Sequence, residues 1–508
     1  MWLTVLVIAI AAAMMMAVQE VPVMASSEII STDYNIIELD APALAGVLLT
    51  FVTRIATRTV LRPFIVRFLL NKNEVHLIRE LAANKLVGVP PTYYPLERLS
   101  STDYDYHVQA AAKTENILSQ GLPSTFTGDY RSVMDYHKVY QSGKATPMQV
   151  LKKVLEGCQQ LEHLHMFSSL RPDDVMEQAK ESEERWTSGQ PLSVFDGVPV
   201  AVKDIVNVQG HPLCFGSTKC SSSEIEDVMV ARFRQIDAII LGVTVSTEGG
   251  VTPLGHSLAF DGPFNPYDPD YYPGGSSLGS AVVVAACLAP VVLGFDGGGN
   301  IRVPANISEN ISETFGLAPT FGRVETTSVL ELTVSKAGPL AASTADMALA
   351  HLVLSQKDKT HFYSQLYDGG VSGVPPAHVS GLDHSVKGMR LGIYWDHFQH
   401  SDPEIVEACI QTVEFLKRQG AEIVNIFIPH LREIHLSHGL KILSEIGVIW
   451  DSPFYDPNLS FEANTDITIA MGKELTAVEV LAGEKIRTWA LVLHVDSVLL
   501  FCLCRYCT

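Results

Sequence analysis

A glycine-rich segment with the sequence GFDGGGNIRVPA, residues 294–305, has the composition of a loop that presents its backbone to a ligand. Glycines leave backbone N–H groups free to approach a developing negative charge. Loops of this kind usually present a nucleophile beside those N–H groups. The residue after the three consecutive glycines is Asn300, whose neutral carboxamide is not a nucleophile. Taken alone, the segment is compatible with an active site, an inactivated one, or no site.

Two further segments carry side chains suited to proton transfer. The run FDGVPVAVKDIV predicts a buried strand that ends at Lys203, and PGGSSLGS, residues 273–280, places serines among glycines. The serine segment lacks the Gly-Lys-Ser/Thr ending of a phosphate-binding loop, and GFDGGG lacks the spacing of a dinucleotide-binding fingerprint. A single buried lysine is more often an ion-pair partner than a base. Each segment by itself therefore has little specificity.

The elements that position these segments alternate between buried strands and helices. Apolar runs predict strands at 198–203 and 238–246, a third strand ending at Asp296, and a helix of small residues at 280–288. Thr146 followed by Pro147 is a typical helix start. The three candidate segments thus lie at strand ends or in the loops beside them.

A strand–helix–strand pattern follows near residue 400. Ser401 and Glu404 have the spacing of a capping box, Pro403 lies in the first turn, and Gly420 marks the helix end. The flanking runs KGMRLGIYW and AEIVNIFIP predict a parallel strand pair with a right-handed crossover. The chain is therefore predicted to be an α/β protein with a mixed β-sheet surrounded by helices.

The composition excludes several classes of function. The chain has 36 basic and 56 acidic residues in 508, a net charge of −20, so we expect no nucleic-acid partner. Eight cysteines are too few for a disulfide scaffold. Cys502, Cys504 and Cys507 lie close together but lack a fourth ligand, so we predict no metal site and no cofactor.

The amino-terminal part has the character of a membrane-directed segment. The uncharged run from Leu3 to Val18 predicts a signal sequence or anchor within residues 1–25, although a basic region before it is missing. Residues 26–129 are predicted to form a helical region. Membrane association, at an endomembrane surface, is the expected location, with secretion as the alternative.

Residues 41–73 contain five basic side chains and no acidic one. Arg54, Arg58 and Arg62 form one stripe on a helix, and Pro63 is expected to break or kink it. One interpretation is an element in a lipid interface with its arginines toward phosphates. The other is an amphipathic helix that packs on its own domain.

Together, the three candidate segments resemble those of the amidase signature family. The family pattern is a strand ending in Lys-Asp, then Gly-Gly-Ser-Ser-Gly-Gly-Ser, then Gly-Thr-Asp-x-Gly-Gly-Ser-Ile-Arg-x-Pro-Ala. This chain has GVPVAVKDIV, YYPGGSSLGSAVVVAACLAP and GFDGGGNIRVPA in that order, followed by GLAPTFGRV. The resemblance covers about residues 130–485, and the residues of these motifs are most similar to those of fatty acid amide hydrolases. It implies an amidase-like domain over residues 130–508.

The resemblance also implies a role for each site residue. Lys203 would be the base, Ser276 the bridging serine, and Asn300 would occupy the position of the nucleophilic serine in a Ser-Ser-Lys triad. The N–H groups of Gly297, Gly298 and Gly299 would form the oxyanion hole. Asp296, Arg302 and Ser277 would support the loop, with Asp296 and Arg302 paired to each other. A small amide would be the substrate, and lipid amides are among the candidates.

The chain departs from the family pattern at several places. Asn300 cannot carry an acyl group, and Leu278 stands where a glycine is usual. NISE occurs twice in tandem from Asn306, which lengthens this segment by about four residues relative to the family. After about residue 488 the sequence becomes apolar and cysteine-rich, and we expect an altered or truncated carboxyl end, or else an amphipathic membrane tail.

Two functions are therefore open from the sequence. One is a membrane-associated hydrolase of carboxylic amides, which include fatty acid amides. The other is a pseudoenzyme that keeps the fold and acts as a binding or scaffold protein. A third alternative, an active enzyme whose given sequence is altered at Asn300, has the same surrounding residues. The oligomeric state is not specified by these patterns.

Overall fold

The computed structural model describes residues 46–93, 108–109, 117–120, 130–222, 224–253, 257, 259–307, 314–328, 332–356, 385–450 and 461–494. Contacts divide these residues into two units. Unit 1 contains residues 46–93 together with 385–450 and 461–494, and unit 2 contains the described residues between 108 and 356. The segment predicted as a signal or anchor, residues 1–25, lies outside the described residues.

The helices of the described residues alternate with the strands through most of unit 2. The α-helices are α1 Gly46–Arg58, α2 Arg62–Lys72, α3 Val75–Asn84, α4 Ile117–Gln120, α5 Val133–Gln141, α6 Pro147–Gln160, α7 Pro172–Ser188, α8 Val228–Gln235, α9 Leu278–Ala285, α10 Arg302–Ile307, α11 Thr344–Leu354, α12 Trp395–Phe398, α13 Pro403–Arg418, α14 Leu431–Ile449, α15 Ala463–Lys473 and α16 Ala477–His494.

The strands of the described residues form one six-stranded sheet and two short two-stranded ones. They are β1 Phe167–Leu170, β2 Pro199–Lys203, β3 Pro212–Leu213, β4 Ser221–Ser222, β5 Ile239–Thr244, β6 Val291–Asp296, β7 Phe315–Gly316, β8 Lys336–Ala341, β9 Arg390–Ile393 and β10 Glu422–Asn425. The large sheet has the order β1-β5-β2-β6-β8-β7.

The large sheet is mixed, as the sequence predicts. β2 runs parallel to both β5 and β6, whereas β1, β7 and β8 join by antiparallel pairing. Every residue of β2, β5 and β6 is buried. Their nearly continuous apolar sequence is typical of strands covered on both faces. The parallel strands β2 and β6 end at Lys203 and Asp296, which brings these two residues to the same edge of the sheet.

Several predicted helix ends are confirmed, and two are corrected. Thr146 caps α6, and its hydroxyl accepts a hydrogen bond from the Gln149 N–H at 3.3 Å. The predicted helix 280–288 begins at Leu278 and ends at Ala285, because the backbone at Cys287 is in the left-handed region with φ of 57°. β9 and β10 are parallel, and Gly420, with φ of 95°, follows the end of the helix between them.

The predicted capping box at Ser401 and Glu404 is wrong. The residue before α13 is Asp402, which makes no side-chain capping hydrogen bond. Pro403 imposes an extended conformation on the residue before it, so the helix begins at the proline itself. Ser401 is one position too early to cap it.

Unit 1 is built around the helices that precede and follow unit 2 in the sequence. The buried side chains of its core come from α2, α3, α14, α15 and α16 and the segment after α3, and they are Val66, Leu70, Val75, Ile78, Ala82, Leu86, Leu440, Ala470, Ala482 and Ile486. The predicted division between residues 26–129 and 130–508 differs from this grouping, because the apolar faces of α2 and α3 are buried against the last helices. α16 continues to His494, and the tail beyond it lies outside the described residues.

Two arginines of the stripe, and Arg67 after it, bind protein carboxylates. The guanidinium groups of Arg58 and Arg62 contact Asp466 at 2.9 Å and Glu474 at 2.8 Å. Arg67 binds Glu479, whose side chain is nearly buried, at 2.7 Å. These ion pairs favour the alternative interpretation, packing on their own domain, and an orientation of the stripe toward lipid phosphates stays a prediction. Pro63 does separate α1 from α2, as predicted.

The two helices α1 and α2 and the turn between them also expose apolar side chains. We call the following six side chains the apolar ridge: Val47, Leu48, Phe51, Val60, Phe64 and Phe68, which are between 51% and 88% exposed. None of the helices in the described residues is both long enough and apolar enough to cross a bilayer.

Candidate active site

Lys203 is held at the buried end of β2. The strand is covered by β5 on one side and β6 on the other, and the lysine side chain is 0% exposed. Burial lowers the pKa of its ammonium group from 10.5 to about 7, and the nearby carboxylates of Asp296 and Asp204 offset only part of this shift. At neutral pH a large fraction of Lys203 is therefore the neutral amine, which can accept a proton.

The serine segment before α9 brings Ser276 to the lysine. Lys203 Nζ donates a hydrogen bond to Ser276 Oγ at 2.6 Å, and both side chains are fully buried. The Gly275–Ser276 peptide is cis. Gly274 has a φ of 77°, and a Cβ there would lie 2.8 Å from Pro304 Cα, so only glycine allows the serine segment to pass so close to α10.

The glycine loop after β6 is organised by Asp296. Its buried carboxylate accepts hydrogen bonds from the N–H groups of Gly299, Ile301 and Arg302 at 2.7, 3.2 and 3.2 Å. The Arg302 guanidinium adds two contacts, each of 2.9 Å. Burial favours the protonated acid, but the hydrogen bonds and charge of Arg302 outweigh it and lower the pKa of Asp296. The predicted pairing of Asp296 with Arg302 is confirmed.

Asn300 completes a chain of three side chains. Its Nδ2 donates to Ser276 Oγ at 2.8 Å and to the Gly250 carbonyl at 2.9 Å. Since a carbonyl only accepts, Gly250 fixes which end of the carboxamide faces the serine. Lys203, Ser276 and Asn300 are thus connected by direct hydrogen bonds, and the half-buried Asn300 is the member nearest to solvent.

Comparison with known proteins identifies the family of this arrangement. The sequence model of the family described as Amidase matches residues 149–454, which is more than half of the chain. The chain belongs to the amidase family. The match lies within the interval 130–485 over which the sequence resembles the amidase signature family, and the predicted resemblance is therefore confirmed.

Individual relatives of the amidase family agree with this assignment. The chain is 28% identical to a fatty acid amide hydrolase of Medicago truncatula over 88% of this chain and 77% of the relative. It is 29% identical to a fatty acid amide hydrolase of Arabidopsis thaliana over 72% of this chain, but the match spans only 61% of that relative. The native peptide amidase of Stenotrophomonas maltophilia superposes with a TM-score of 0.58 at 22% identity, covering 75% of this chain and 78% of the other, and shows a shared fold.

In this amidase-family chain, the three glycines of the loop are not equivalent. The Gly299 N–H donates to Asp296, so this group is already used and the expectation that it forms part of the oxyanion hole is corrected. Within the described residues, the N–H groups of Gly297 and Gly298 donate to no protein atom. Gly298 is exposed and Gly297 is buried. These two groups are the ones left to bind a developing oxyanion.

Ser277 does not support the loop by hydrogen bonding. Its side chain is 0% exposed, and its Oγ has no hydrogen-bond partner among the described residues. The predicted role as loop support is therefore corrected. The following residue, Leu278, is fully buried at the first position of α9, so the departure from the family's glycine is accommodated in the core.

Two features near the site were not predicted from the sequence. The turn at Glu248–Gly250 supplies the carbonyl that binds Asn300. Cys214 and Cys220 form a disulfide in the loop that follows β3. The only sequence signal for this disulfide is the close spacing of the two cysteines, which by itself does not indicate pairing.

The described residues contain no group of three or more His, Cys, Asp or Glu side chains positioned to hold a metal ion. The polar groups that meet at the site are the amine of Lys203, the hydroxyl of Ser276 and the N–H donors of the loop.

Proposed function

We propose that this chain is an amide-binding member of the amidase family in which Asn300 has removed the serine-dependent turnover. The observation that carries the proposal is the continuous contact from Lys203 Nζ through Ser276 Oγ to Asn300 Nδ2, with distances of 2.6 and 2.8 Å. Lys203 and Ser276 are the two residues that would transfer protons in an acyl-transfer site. At the end of the chain, the Asn300 amide donates a hydrogen bond to Ser276 Oγ, whereas a nucleophilic hydroxyl at this position would lose its proton to that oxygen.

The chemistry that remains can be stated for each group. Neutral Lys203 can take a proton from Ser276, and Ser276 can in turn take one from a hydroxyl at position 300. A serine there would attack the amide carbonyl, and the N–H groups of Gly297 and Gly298 would stabilise the oxyanion. The Asn300 carboxamide has no hydroxyl to deprotonate. Loss of a nucleophile ordinarily reduces the rate by several orders of magnitude.

The proposed ligand is a carboxylic amide, and one with a long acyl chain is the first to test. Two relatives that match most of this chain carry the name fatty acid amide hydrolase. The substrate of those proteins is transferred to this chain only as a proposal, because the site residues recognise the amide group and do not specify the acyl chain.

The decisive experiment is the single substitution Asn300→Ser. We expect the variant to hydrolyse a long-chain fatty acyl p-nitroanilide at least about a hundredfold faster than the unmodified protein. Asn300→Ala is the matched control, since it also removes the carboxamide but supplies no hydroxyl. Adding Lys203→Ala to Asn300→Ser should abolish the gained activity. Equal rates for the serine and alanine variants would contradict the proposal.

An active hydrolase is the second candidate, and the intact Lys203–Ser276 pair favours it. A fluorophosphonate probe that reacts with activated serines separates the two candidates. The amide-binding proposal expects no labelling of the unmodified protein and labelling of Asn300→Ser at residue 300. Labelling of the unmodified protein at any serine, lost in Lys203→Ala, would establish the hydrolase instead.

We also propose that the apolar ridge contacts a lipid surface. Arg58, Arg62 and Arg67 pair with carboxylates, while the apolar side chains of the ridge remain exposed, with Phe64 75% exposed. The uncharged run from Leu3 to Val18 precedes the ridge in the sequence and gives the same end of the chain a second lipophilic segment. An amphipathic helix lying in a bilayer interface buries such a face.

Flotation with liposomes tests the lipid contact. We expect Phe51→Ser, Phe64→Ser and Phe68→Ser, combined, to reduce recovery with neutral vesicles, because binding rests on apolar burial. Leu192→Ser, which removes an exposed leucine of unit 2, is the control and should float like the unmodified protein. Unchanged flotation of the triple variant would refute the ridge as the contact. In that case the apolar run before it is the next segment to remove.

We propose an endomembrane location on the oxidising side of the membrane, with secretion as the alternative. The Cys214–Cys220 disulfide supports this proposal, since such bonds persist in oxidising compartments and are rare in the cytosol. Trapping of free thiols in intact cells, before lysis, is the test. Full labelling of both cysteines would place the protein in a reducing compartment and overturn the proposal.

A further inference from the structure

The Cys214–Cys220 disulfide closes a loop between two very short strands. β3 and β4 pair through Pro212 with Ser222 and through Leu213 with Ser221, and the disulfide follows directly after the second pair. A two-stranded ribbon of this length is not stable by itself in water. The covalent bond therefore holds the two ends of the loop together.

One side of this loop, residues 214–220, binds the residue next to the lysine. Asp204 follows Lys203 at the end of β2, and its buried carboxylate accepts the Cys214 N–H at 2.7 Å and the Gly216 N–H at 3.0 Å. Two N–H groups converge on one carboxylate only while the loop keeps its closed shape. The disulfide loop thus anchors the strand end that carries Lys203.

The other side of the loop binds the turn that fixes Asn300. The Phe215 carbonyl accepts the Gly249 N–H at 2.8 Å. The carbonyl of the following residue, Gly250, accepts a hydrogen bond from Asn300 Nδ2 at 2.9 Å. A single short loop is therefore in contact with the supports of both ends of the Lys203–Ser276–Asn300 chain.

We propose that the Cys214–Cys220 disulfide is a positioning element of the site, which sets the distance between Lys203 and the residue at position 300. Breaking the disulfide opens the loop, releases the Asp204 carboxylate and the turn at 248–250, and loosens the hydrogen-bonded chain between them. The proposal deepens the proposed function, because the site that it positions is the same.

Hydrogen exchange with and without dithiothreitol tests the positioning directly. Peptide mapping without reductant should first show the 214–220 linkage. Reduction is expected to raise exchange about tenfold or more in residues 248–252 and 296–302, since loop closure no longer restrains them. Exchange in α6 and α7, which lie away from the loop contacts, should not change. Absence of the linkage, or equal exchange in both states, would overturn the proposal.

Matched variants separate the disulfide from general effects of the reductant. Cys214→Ser combined with Cys220→Ser should show the raised exchange without reductant and no further response to it. Cys287→Ser and Cys409→Ser, which remove cysteines outside the 214–220 disulfide, should behave like the unmodified protein. A response to reductant that persists in the variant at residues 214 and 220 would assign the effect to another cysteine and overturn the proposal.

Kinetics in the Asn300→Ser background distinguish positioning from simple structural support. Breaking the disulfide there should lower kcat about tenfold or more while KM stays within about twofold, because the loop aligns reacting groups and does not contact the acyl chain. A rise in KM alone would contradict the proposal. If Asn300→Ser is inactive but exchange responds as expected, the proposed function fails and the positioning stands. If Asn300→Ser is active and insensitive to reduction, the reverse holds.

Discussion

The buried position of Lys203 predicts a specific dependence of stability on pH. The pKa of this lysine falls from 10.5 to about 7 on folding, because the charged form loses its hydration in the fully buried site. Between these two values the unfolded chain holds a proton that the folded chain does not. The free energy of unfolding therefore rises with pH through this window, and Lys203→Met, which cannot be charged, should remove that rise.

The magnitude follows from the size of the pKa shift. One pKa unit corresponds to about 1.4 kcal/mol, so the penalty for charging the buried lysine is about 5 kcal/mol in full. From about pH 7.5 to about pH 9.5 most of that window is crossed. The unfolding free energy of the unmodified protein should then rise by about 2.5 kcal/mol more than that of Lys203→Met.

The assay must follow unit 2 separately, because two units need not unfold together. Urea titrations at several pH values, read by pulsed hydrogen exchange in β2 and β6, give the unfolding free energy of the sheet that carries Lys203. Lys144→Met is the control, since it removes an exposed lysine of the same unit. Its pH dependence should equal that of the unmodified protein.

Comparing variants cancels the titration of other buried groups. Burial also raises the pKa values of Asp204 and Asp346 to about 7, and both change charge near the lower end of the window. Both groups remain in Lys203→Met, so the contribution of Asp346 cancels, and the difference between the two curves reports Lys203 together with its charge interaction with Asp204. Parallel curves for Lys203→Met and the unmodified protein would show that the lysine stays charged in the fold. The proposed role of Lys203 as a neutral base at neutral pH would then be refuted.

Two further predictions concern packing next to the site. Ser277→Ala should leave the unfolding free energy unchanged or raise it by up to about 1 kcal/mol, because the buried hydroxyl has no hydrogen-bond partner in the described residues. Urea unfolding measures this free energy, and a loss above about 1 kcal/mol would reveal a partner. Gly216→Ala should cost about 3 kcal/mol or more, since its Cβ would lie 2.4 Å from the Ser246 carbonyl oxygen and 2.6 Å from Thr247 backbone atoms. Gly143→Ala is the matched control, with a similar positive φ but open space, and should cost only about 1 kcal/mol; equal losses would contradict the steric argument.

The convergence of Lys203, Ser276 and the glycine loop is implied by the resemblance to the amidase signature family, and the strand pattern supports it for Lys203 and the glycine loop. Apolar runs mark β2 and β6 as buried strands, and parallel strands end at one edge of the sheet, so the residues after them must lie close together. The pairing of Asp296 with Arg302 is likewise implied by the resemblance. The strand ends depend on local sequence and on one simple rule of topology.

The orientation of the arginine stripe could not be predicted in the same way. A cationic stripe on an amphipathic helix fits lipid phosphates and protein carboxylates equally well. The carboxylates that bind Arg58, Arg62 and Arg67 come more than four hundred residues later in the chain, and they are Asp466, Glu474 and Glu479. Only tertiary structure brings them to α1 and α2. The wrong prediction of a capping box at Ser401 has a local cause. Ser401 and Glu404 have the correct spacing, but the helix begins at Pro403, so Ser401 does not occupy the capping position.

Two hydrogen bonds at the site could not be predicted from the sequence. One joins the Gly299 N–H to the Asp296 carboxylate, and the other joins Asn300 Nδ2 to the Gly250 carbonyl. Three consecutive glycines look equivalent, but only the one with φ of 110° turns its N–H onto the Asp296 carboxylate. Gly250 was not a candidate because nothing in its own neighbourhood marks the turn as part of a site. Hydrogen bonds of this kind depend on distances below one residue length, which motif spacing does not define.

The contacts of Asn300 explain why a change at the nucleophile position leaves the rest of the site in order. An alanine there would leave the Gly250 carbonyl and Ser276 Oγ each short of a donor. The asparagine supplies both with one amide group, at 2.9 and 2.8 Å. Since both acceptors are satisfied, no compensating change is needed at Lys203 or Ser276, and the lysine stays buried with its lowered pKa. The proposed function thus describes a site that keeps its hydrogen bonds but lacks a nucleophile, and Asn300→Ser should be enough to return an oxygen to the end of the chain.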